Sequence, residues 1–304
     1  MTAPLFGQPA YEHLSPETRA VVGMNSKVRE DWLYQMPFFA YDAMWPIFNE
    51  AMFLARQPRL PRPHNLLIEG PTNSGKSALL ALIAAALKPG GDHALDHPVP
   101  VMLYKCASGV RRDDLVDGFL RGSGLEILPR RRLRAGDLIH YAPIMRLRGP
   151  RVVLIDEVHN LFSRAGSKHT VTDTIPTLRD LSMQCQVPLI AAGVKKALYA
   201  IQSDPQLENR FTVMRLPPLQ SGAPFVRMLM AFERWLPLPE PSQLRQPAFA
   251  QYLYDLSGGW IGELKDVLHR GLRYAIQHQT PCLIVDLMQA AGCLSAKERR
   301  AVDI

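Results

Sequence analysis

No stretch of this 304-residue chain is apolar over the roughly 18 residues that a membrane helix requires, so no membrane span is expected. Cysteine is scarce. Cys106, Cys185, Cys282 and Cys293 form no C-x-x-C pair and sit mostly in apolar segments, which reads as reduced, structural thiols in the cytoplasm. The nine histidines show no metal-ligand spacing, and nothing suggests a Ser-His-Asp arrangement. Internal repeats and low-complexity tracts are missing. The first residues combine neither a basic start nor a long apolar run, so no secretory signal is expected.

Against these absences stands an ordinary globular composition, 47% hydrophobic, which supplies material for a substantial core. Lysine plus arginine outnumber aspartate plus glutamate by 35 to 28, a net +7 that favours a polyanionic partner such as nucleic acid.

The pattern changes along the chain. Residues 1–58 look helical: Ser15-Pro16-Glu17 resembles a capped helix start, and Phe38–Leu54 carries apolar and aromatic residues at helical spacing. The aromatics between Trp32 and Trp45 suit either a packed helical core or a partner surface. Arg56–Pro63, with three prolines, reads as a stiff connector. Short apolar runs then alternate with helical stretches. Leu66–Ile68, Val99–Tyr104, Val152–Ile155, Val187–Ala192 and Arg210–Leu216 are the strand candidates. Such alternation predicts an α/β fold with a mostly parallel sheet covered by helices. From Pro224 only helical patterns follow. The expected division is therefore 1–58, 59–222 and 223–304: a helical region, an α/β nucleotide-binding domain and a small helical lid.

Gly70-Pro71-Thr72-Asn73-Ser74-Gly75-Lys76-Ser77 completes the pattern G-x-x-x-x-G-K-[ST] between a predicted strand and a helix expected over Ala78–Leu87. The two glycines let backbone amides approach phosphates, and the helix adds the positive end of its dipole. Lys76 is expected on the β- and γ-phosphates and the Ser77 hydroxyl on Mg²⁺. Val152–Ile155 ends in Asp156-Glu157, which suits Asp156 as a second Mg²⁺ ligand and Glu157 as the general base for an attacking water. No N-K-x-D segment occurs, so ATP is the expected nucleotide.

With these motifs in place, residues 60–290 resemble the TniB proteins of bacterial transposons, AAA+ ATPases related to the TnsC transposition regulators. The resemblance lies in Arg62–Ser77, in Leu154-Ile-Asp-Glu-Val-His-Asn-Leu161, in Gln206-Leu-Glu-Asn-Arg-Phe211, in Leu236-Pro-Leu238 with Ser242-Gln-Leu244, and in Ser257-Gly-Gly-Trp-Ile-Gly262. It implies a P-loop AAA+ core and a protein that assembles on double-stranded DNA with ATP as a ring or filament. Such a protein marks a target site, sometimes through a recruiting factor, and engages a DDE transposase. By the same resemblance Arg210 is the arginine finger that enters a neighbouring subunit's site; a surface arginine or local ion pair is the alternative. Lys265 stands nearest to the family's second sensor, where an arginine is usual. Ala192-Gly193-Val194 offers no polar side chain at the first sensor, which implies slow hydrolysis. His159 is expected to pack or hydrogen-bond behind Glu157.

The basic residues between the second and third strands, Lys105, Arg111, Arg112, Arg121 and Arg130–Arg134, are the candidates for sequence-independent contact with DNA phosphates; solvated faces are the alternative for any one of them. Two other functions fit the same ATPase core: a helicase loader, and a nucleotide-gated scaffold with negligible hydrolysis.

Overall fold

Short β-branched and aliphatic runs, too brief for helices, pair side by side in this chain. The computed structural model describes residues 11–97, 99–125, 128–162, 169–295 and 298. Before the first strand come helices α1 (Pro16–Arg19), α2 (Ser26–Trp32) and α3 (Trp45–Arg56). Strands then alternate with helices: β1 (Asn65–Glu69), α4 (Lys76–Leu87), β2 (Val101–Lys105), α5 (Arg112–Gly122), α6 (Leu138–Arg148), β3 (Val152–Asp156), α7 (His169–Cys185) and β4 (Leu189–Gly193). After α8 (Lys195–Gln202) and α9 (Pro205–Glu208) comes β5 (Phe211–Arg215), followed by α10 (Ala223–Glu233), α11 (Pro247–Ser257), α12 (Ile261–Gln277) and α13 (Val285–Ala290). All five expected strands are present, their ends shifted by at most two residues.

The strands form one parallel sheet in the order β2-β3-β4-β1-β5. The inner strands β3 and β4 are buried at every position, because helices cover both faces and leave no side for polar residues. On the outer strands the pattern relaxes, and Leu103 of β2 and Val213 of β5 are exposed. Leu67, Val153, Ile155, Leu189 and Ala191 form the centre of a core continued by Phe119, Leu120, Leu178 and Leu181. Asn65 is the polar exception, almost fully buried at the start of β1. Its Oδ1 accepts from Leu189 N (2.9 Å) and Ser182 Oγ (3.2 Å), which ties β1, β4 and α7 together and removes the desolvation cost.

The residues group into two compact units. One runs from Asp42 to Pro217; the other joins the segment before Asp42 to the chain from Pro218 onward. These boundaries differ from those read at 58/59 and 222/223. The apolar face of α3 (Ile47, Phe48, Ala51, Met52, Leu54, Ala55) is buried against β1 and α4, so α3 joins the sheet unit. The connector after α3 also lies inside that unit. The Arg59 guanidinium donates to the carbonyls of Gly149 (2.8 Å), Pro150 (3.1 Å) and Cys185 (3.3 Å), a use of its planar fork that fixes the proline-rich stretch in place.

In the helical unit, Ser15 caps α1 through its hydroxyl, which accepts from Thr18 N, with Pro16 at the first helical position. Trp32 stacks on Trp235 at 5.6 Å and Phe39 meets Phe232 edge-on, so these two are half-buried packing residues, whereas Tyr34 and, in the sheet unit, Trp45 remain exposed. The strongly amphipathic α12 packs its apolar stripe on α2 and α11.

Candidate functional site

In a parallel sheet every strand ends at the same edge, and the chemistry gathers there. β1 ends at Glu69 and the chain turns through Gly70–Gly75 into α4. A Cβ on Gly70 would lie 2.9 Å from Ser74 Oγ, so a side chain there would displace that hydroxyl, and Gly75 takes a φ of 95° as it caps the helix, a conformation that favours glycine. Pro71, Thr72 and Asn73 are exposed, Ser74 is buried, and Ser77 and Ala78 follow on the first turn of α4, with Ser77 exposed. Lys76 is only 8% exposed. Its Nζ donates to Pro71 O (2.5 Å) and Ser74 Oγ (3.2 Å). Burial lowers its pKa, against the opposing pull of the Glu157, Asp156 and Glu69 carboxylates, so the three acids share one electrostatic neighbourhood with the lysine.

β3 delivers two of those acids. Asp156 is 8% exposed, and its Oδ1 accepts from Glu157 N at 2.9 Å. Glu157 adopts a φ of 57°, a left-handed conformation that costs a non-glycine residue on the order of 1 kcal/mol and is tolerated where position matters. The 3₁₀ segment Val158–Phe162 then folds back over the site. Asn160 N donates to Glu157 O (2.8 Å), while its side-chain amide donates to Cys106 O (3.0 Å) and reaches Glu157 Oε2 at 3.5 Å. His159 Nε2 lies 3.6 Å from the same carboxylate oxygen, as expected for a residue backing Glu157.

Three residues of this edge escaped the sequence reading. Asn160 is one, although it stands inside the quoted Asp-Glu-Val-His-Asn-Leu string. Glu69 and Arg215 are the others: Arg215 Nε pairs with Glu69 Oε2 at 3.2 Å where β1 and β5 end together, at the base of the turn Gly70–Gly75. Only strand register brings those two together, and no local motif signals it.

Arg210 lies elsewhere. It precedes β5, at the sheet edge opposite Gly70, and its backbone carbonyl accepts from Asn65 N. Five residues at about 3.3 Å each separate the two edges by roughly 16 Å. Arg210 lines a pocket with Arg62, His64, Gln206 and Asn209, and its Nη1 is buried with no hydrogen-bond partner among the described residues. Lys265 belongs to the helical unit, on α12, where burial lowers its pKa.

Of the basic candidates, Lys105, Arg111 and Arg112 are exposed where β2 runs into α5. Arg121 is tied down: its guanidinium pairs with Asp117 (3.0 Å) and donates to the carbonyls of Pro129 and Arg131. Within the run Arg130–Arg134, Arg131 pairs with Asp137 and Arg132 with Asp114. Among the described residues no three His, Cys, Asp or Glu side chains gather as a metal site, and no helix is long and apolar enough to cross a membrane.

The family model described as bacterial TniB protein matches residues 29–221. Among solved structures, Cdc6p from Pyrobaculum aerophilum aligns with a TM-score of 0.63 and 16% identity, over 87% of this chain and 71% of that one. The Aeropyrum pernix ORC1 protein in complex with DNA aligns at 0.59 and 17%, over 86% and 68%. The Thermotoga maritima RuvB Holliday junction branch migration motor aligns at 0.53 and 14%, over 86% and 74%. No curated protein matches. At such identities the likeness establishes the fold, which is that of AAA+ proteins.

Proposed function

The chain belongs to the bacterial TniB family, and from that premise we propose that it is an ATPase that assembles on double-stranded DNA to mark a transposition target and engage a DDE transposase. The residues present fit a magnesium nucleotide. Pro71, Thr72 and Asn73 are exposed, so the turn's backbone lies open to phosphate, and the buried ammonium of Lys76 suits an anion better than a carbonyl. Pro71–Gly75 and Ala78 would line the phosphates through their backbone. Ser77 and Asp156 are hard oxygen donors of the kind Mg²⁺ takes, with water and phosphate filling the remaining positions. Bound there, the cation would neutralise phosphate charge. Glu157 would take the proton of the attacking water.

The observation that carries the assembly reading is the separation of Arg210 from Gly70–Lys76 across the length of the sheet. A cation about 16 Å from its own phosphate turn serves no phosphate there, whereas a second copy stacked edge to edge would receive it. Lys105, Arg111 and Arg112 are exposed candidate phosphate contacts, and Arg121 is the weakest because it is already paired. The ORC1 relative was solved in complex with DNA and the RuvB relative is a branch migration motor, which agrees with a duplex partner. Lys265 is retained as the candidate second sensor, and a recruiting factor as a further partner.

A nucleotide-gated scaffold with negligible hydrolysis is favoured by one observation. A Cβ at Gly193 would come within 2.8 Å of Ala197 Cβ and 2.9 Å of Val158 Cγ1, so the first-sensor position has no room for a polar side chain.

The test is electron microscopy of the protein with duplex DNA, with and without a slowly hydrolysed ATP analogue, beside Lys76→Ala and Arg210→Ala. Rings or filaments are expected only with both ligands, and in neither variant. Monomers throughout would leave a nucleotide-binding adaptor as the better account.

A further inference from the structure

The segment that leads into β1 alternates in burial: Arg62 and His64 are exposed, Pro63 and Asn65 buried. A residue before proline favours extended backbone, and positions two apart in an extended chain face the same way. Both basic side chains therefore lie on one side. Asn65 pairs with Phe211 and its N–H donates to Arg210 O at 2.8 Å, so the register of β1 and β5 sets that side beside Arg210. With Pro205, Gln206 and Asn209 these residues line a pocket of about 460 Å³, a size usual for small-molecule sites. Among the described residues no carboxylate lines it. The two amides are already engaged: Gln206 Oε1 accepts from Arg179 Nη1 (2.9 Å), and Asn209 Nδ2 donates to Pro205 O (2.9 Å). The Arg62 guanidinium has no hydrogen bond or ion pair among the described residues, and Arg210 Nη1 is buried without one. Two guanidiniums in one pocket repel each other, and a buried donor left unpaired keeps its desolvation cost. An anion with several acceptor oxygens relieves both.

We propose that Arg62 is a second cation delivered to a neighbouring copy's ATP, and that the pocket it forms with His64 and Arg210 receives the terminal phosphate there. This rests on the reading of Arg210 as a group that acts between copies. The chain's own phosphate turn lies a strand length away, so the triphosphate within reach is the one a second copy holds. As hydrolysis proceeds, the water oxygen bonds to the γ-phosphorus and the bond to the bridging oxygen breaks. ADP leaves with the electron pair, and the water proton passes to the neighbour's Glu157. Charge spread over the equatorial oxygens is then met by two guanidinium forks, one from the approach to β1 and one from the approach to β5. His64 can add one N–H. Arg62 exchanges no proton; it balances charge that a single fork meets only in part.

The experiment measures phosphate release with duplex for the wild type, Arg62→Ala, Arg62→Lys and Arg210→Ala, each variant alone and mixed with an equal amount of Glu157→Gln. Thermal melting and the affinity of each dilute protein for a fluorescent ATP analogue are measured alongside. Arg62→Ala is expected to lower kcat by about 10–10²-fold, the loss of a hydrogen-bonded charge in the transition state. Its melting and its affinity for the analogue stay unchanged, because Arg62 serves another copy's site. Arg62→Lys keeps the charge and loses the fork, so it recovers part of the rate, and it carries the test should the alanine variant melt early. Mixing is the decisive arm. Glu157→Gln lacks the base and keeps the pocket, so in a head-to-tail assembly about one interface in four joins an intact base to an intact pocket, and about a quarter of the wild-type rate returns. An Arg62→Ala rate within about twofold of the wild type, or a loss that mixing leaves unrestored, overturns the proposal. If mixing restores Arg210→Ala but not Arg62→Ala, the reading of Arg210 stands and Arg62 alone falls; if it restores neither, both fall. A wild type that releases no phosphate overturns the proposal together with the ATPase reading.

Discussion

β3 and β4 are neighbours in one sheet, each five residues long, each buried throughout, and they end in opposite ways. β3 ends in Asp156 and Glu157, two carboxylates beside the buried Lys76. β4 ends in Gly193, which presents no side chain and is overlaid by Val158 and Ala197. The difference shows how one edge divides its labour. The polar groups that approach Glu157 come from the 3₁₀ segment after β3, as His159 and Asn160, and that segment packs over the end of β4 closely enough to require glycine there. On the proposed reading Glu157 would be the base, and no side chain at the neighbouring strand end would orient water, which agrees with hydrolysis used as a switch.

The largest test of this asymmetry is Glu157→Gln. Phosphate release is expected to fall by about 10²–10⁴-fold with nucleotide binding retained, since the carboxylate acts on water and not on the phosphate turn. A fall below tenfold would mean that the base lies elsewhere. Next is Gly193→Asn, which attempts to give β4 a polar end. With Val158 and Ala197 both fully buried, the added side chain is expected to cost about 1–3 kcal/mol in denaturant unfolding instead of raising the rate. Full stability with faster hydrolysis would break the comparison. The smallest effect concerns the end of β2. Burial first, then the charges of Asp156 and Glu157, push the Cys106 thiol up to about 12. Because the shift is upward, the thiol stays protonated at pH 8, and mass spectrometry after alkylation should find Cys106 unmodified in the folded protein and modified in denaturant. Rapid alkylation of the folded protein would show that this strand end is not closed to solvent.

Much of the edge was legible before any tertiary contact. The turn at Gly70–Gly75 between a strand and a helix was readable from its two glycines, and Asp156-Glu157 because an apolar run that ends in two acids marks the end of a buried strand. Arg121 shows a different failing. Asp117 stands four residues earlier on the same helix, so the pairing that occupies this arginine was visible at i,i+4 spacing and outweighed by the attraction of a basic cluster. Arg215 with Glu69, and Asn160 with Cys106, carried no comparable signal, because each pair meets only through strand register or a folded-back turn.

The chain's own pattern therefore determined the alternation of strands and helices, the glycine-rich turn, the pair of acids and the helical character of the ends, since all of these depend on neighbours a few residues apart. Tertiary structure decided which edge of the sheet each group occupies. It set Arg210 a full strand length from Lys76, laid one asparagine against both a loop root and a carboxylate, left no room beside Gly193, and placed α3 with the sheet. Those outcomes follow from packing between segments far apart in sequence, and the periodicity of either segment alone carries no information about the other.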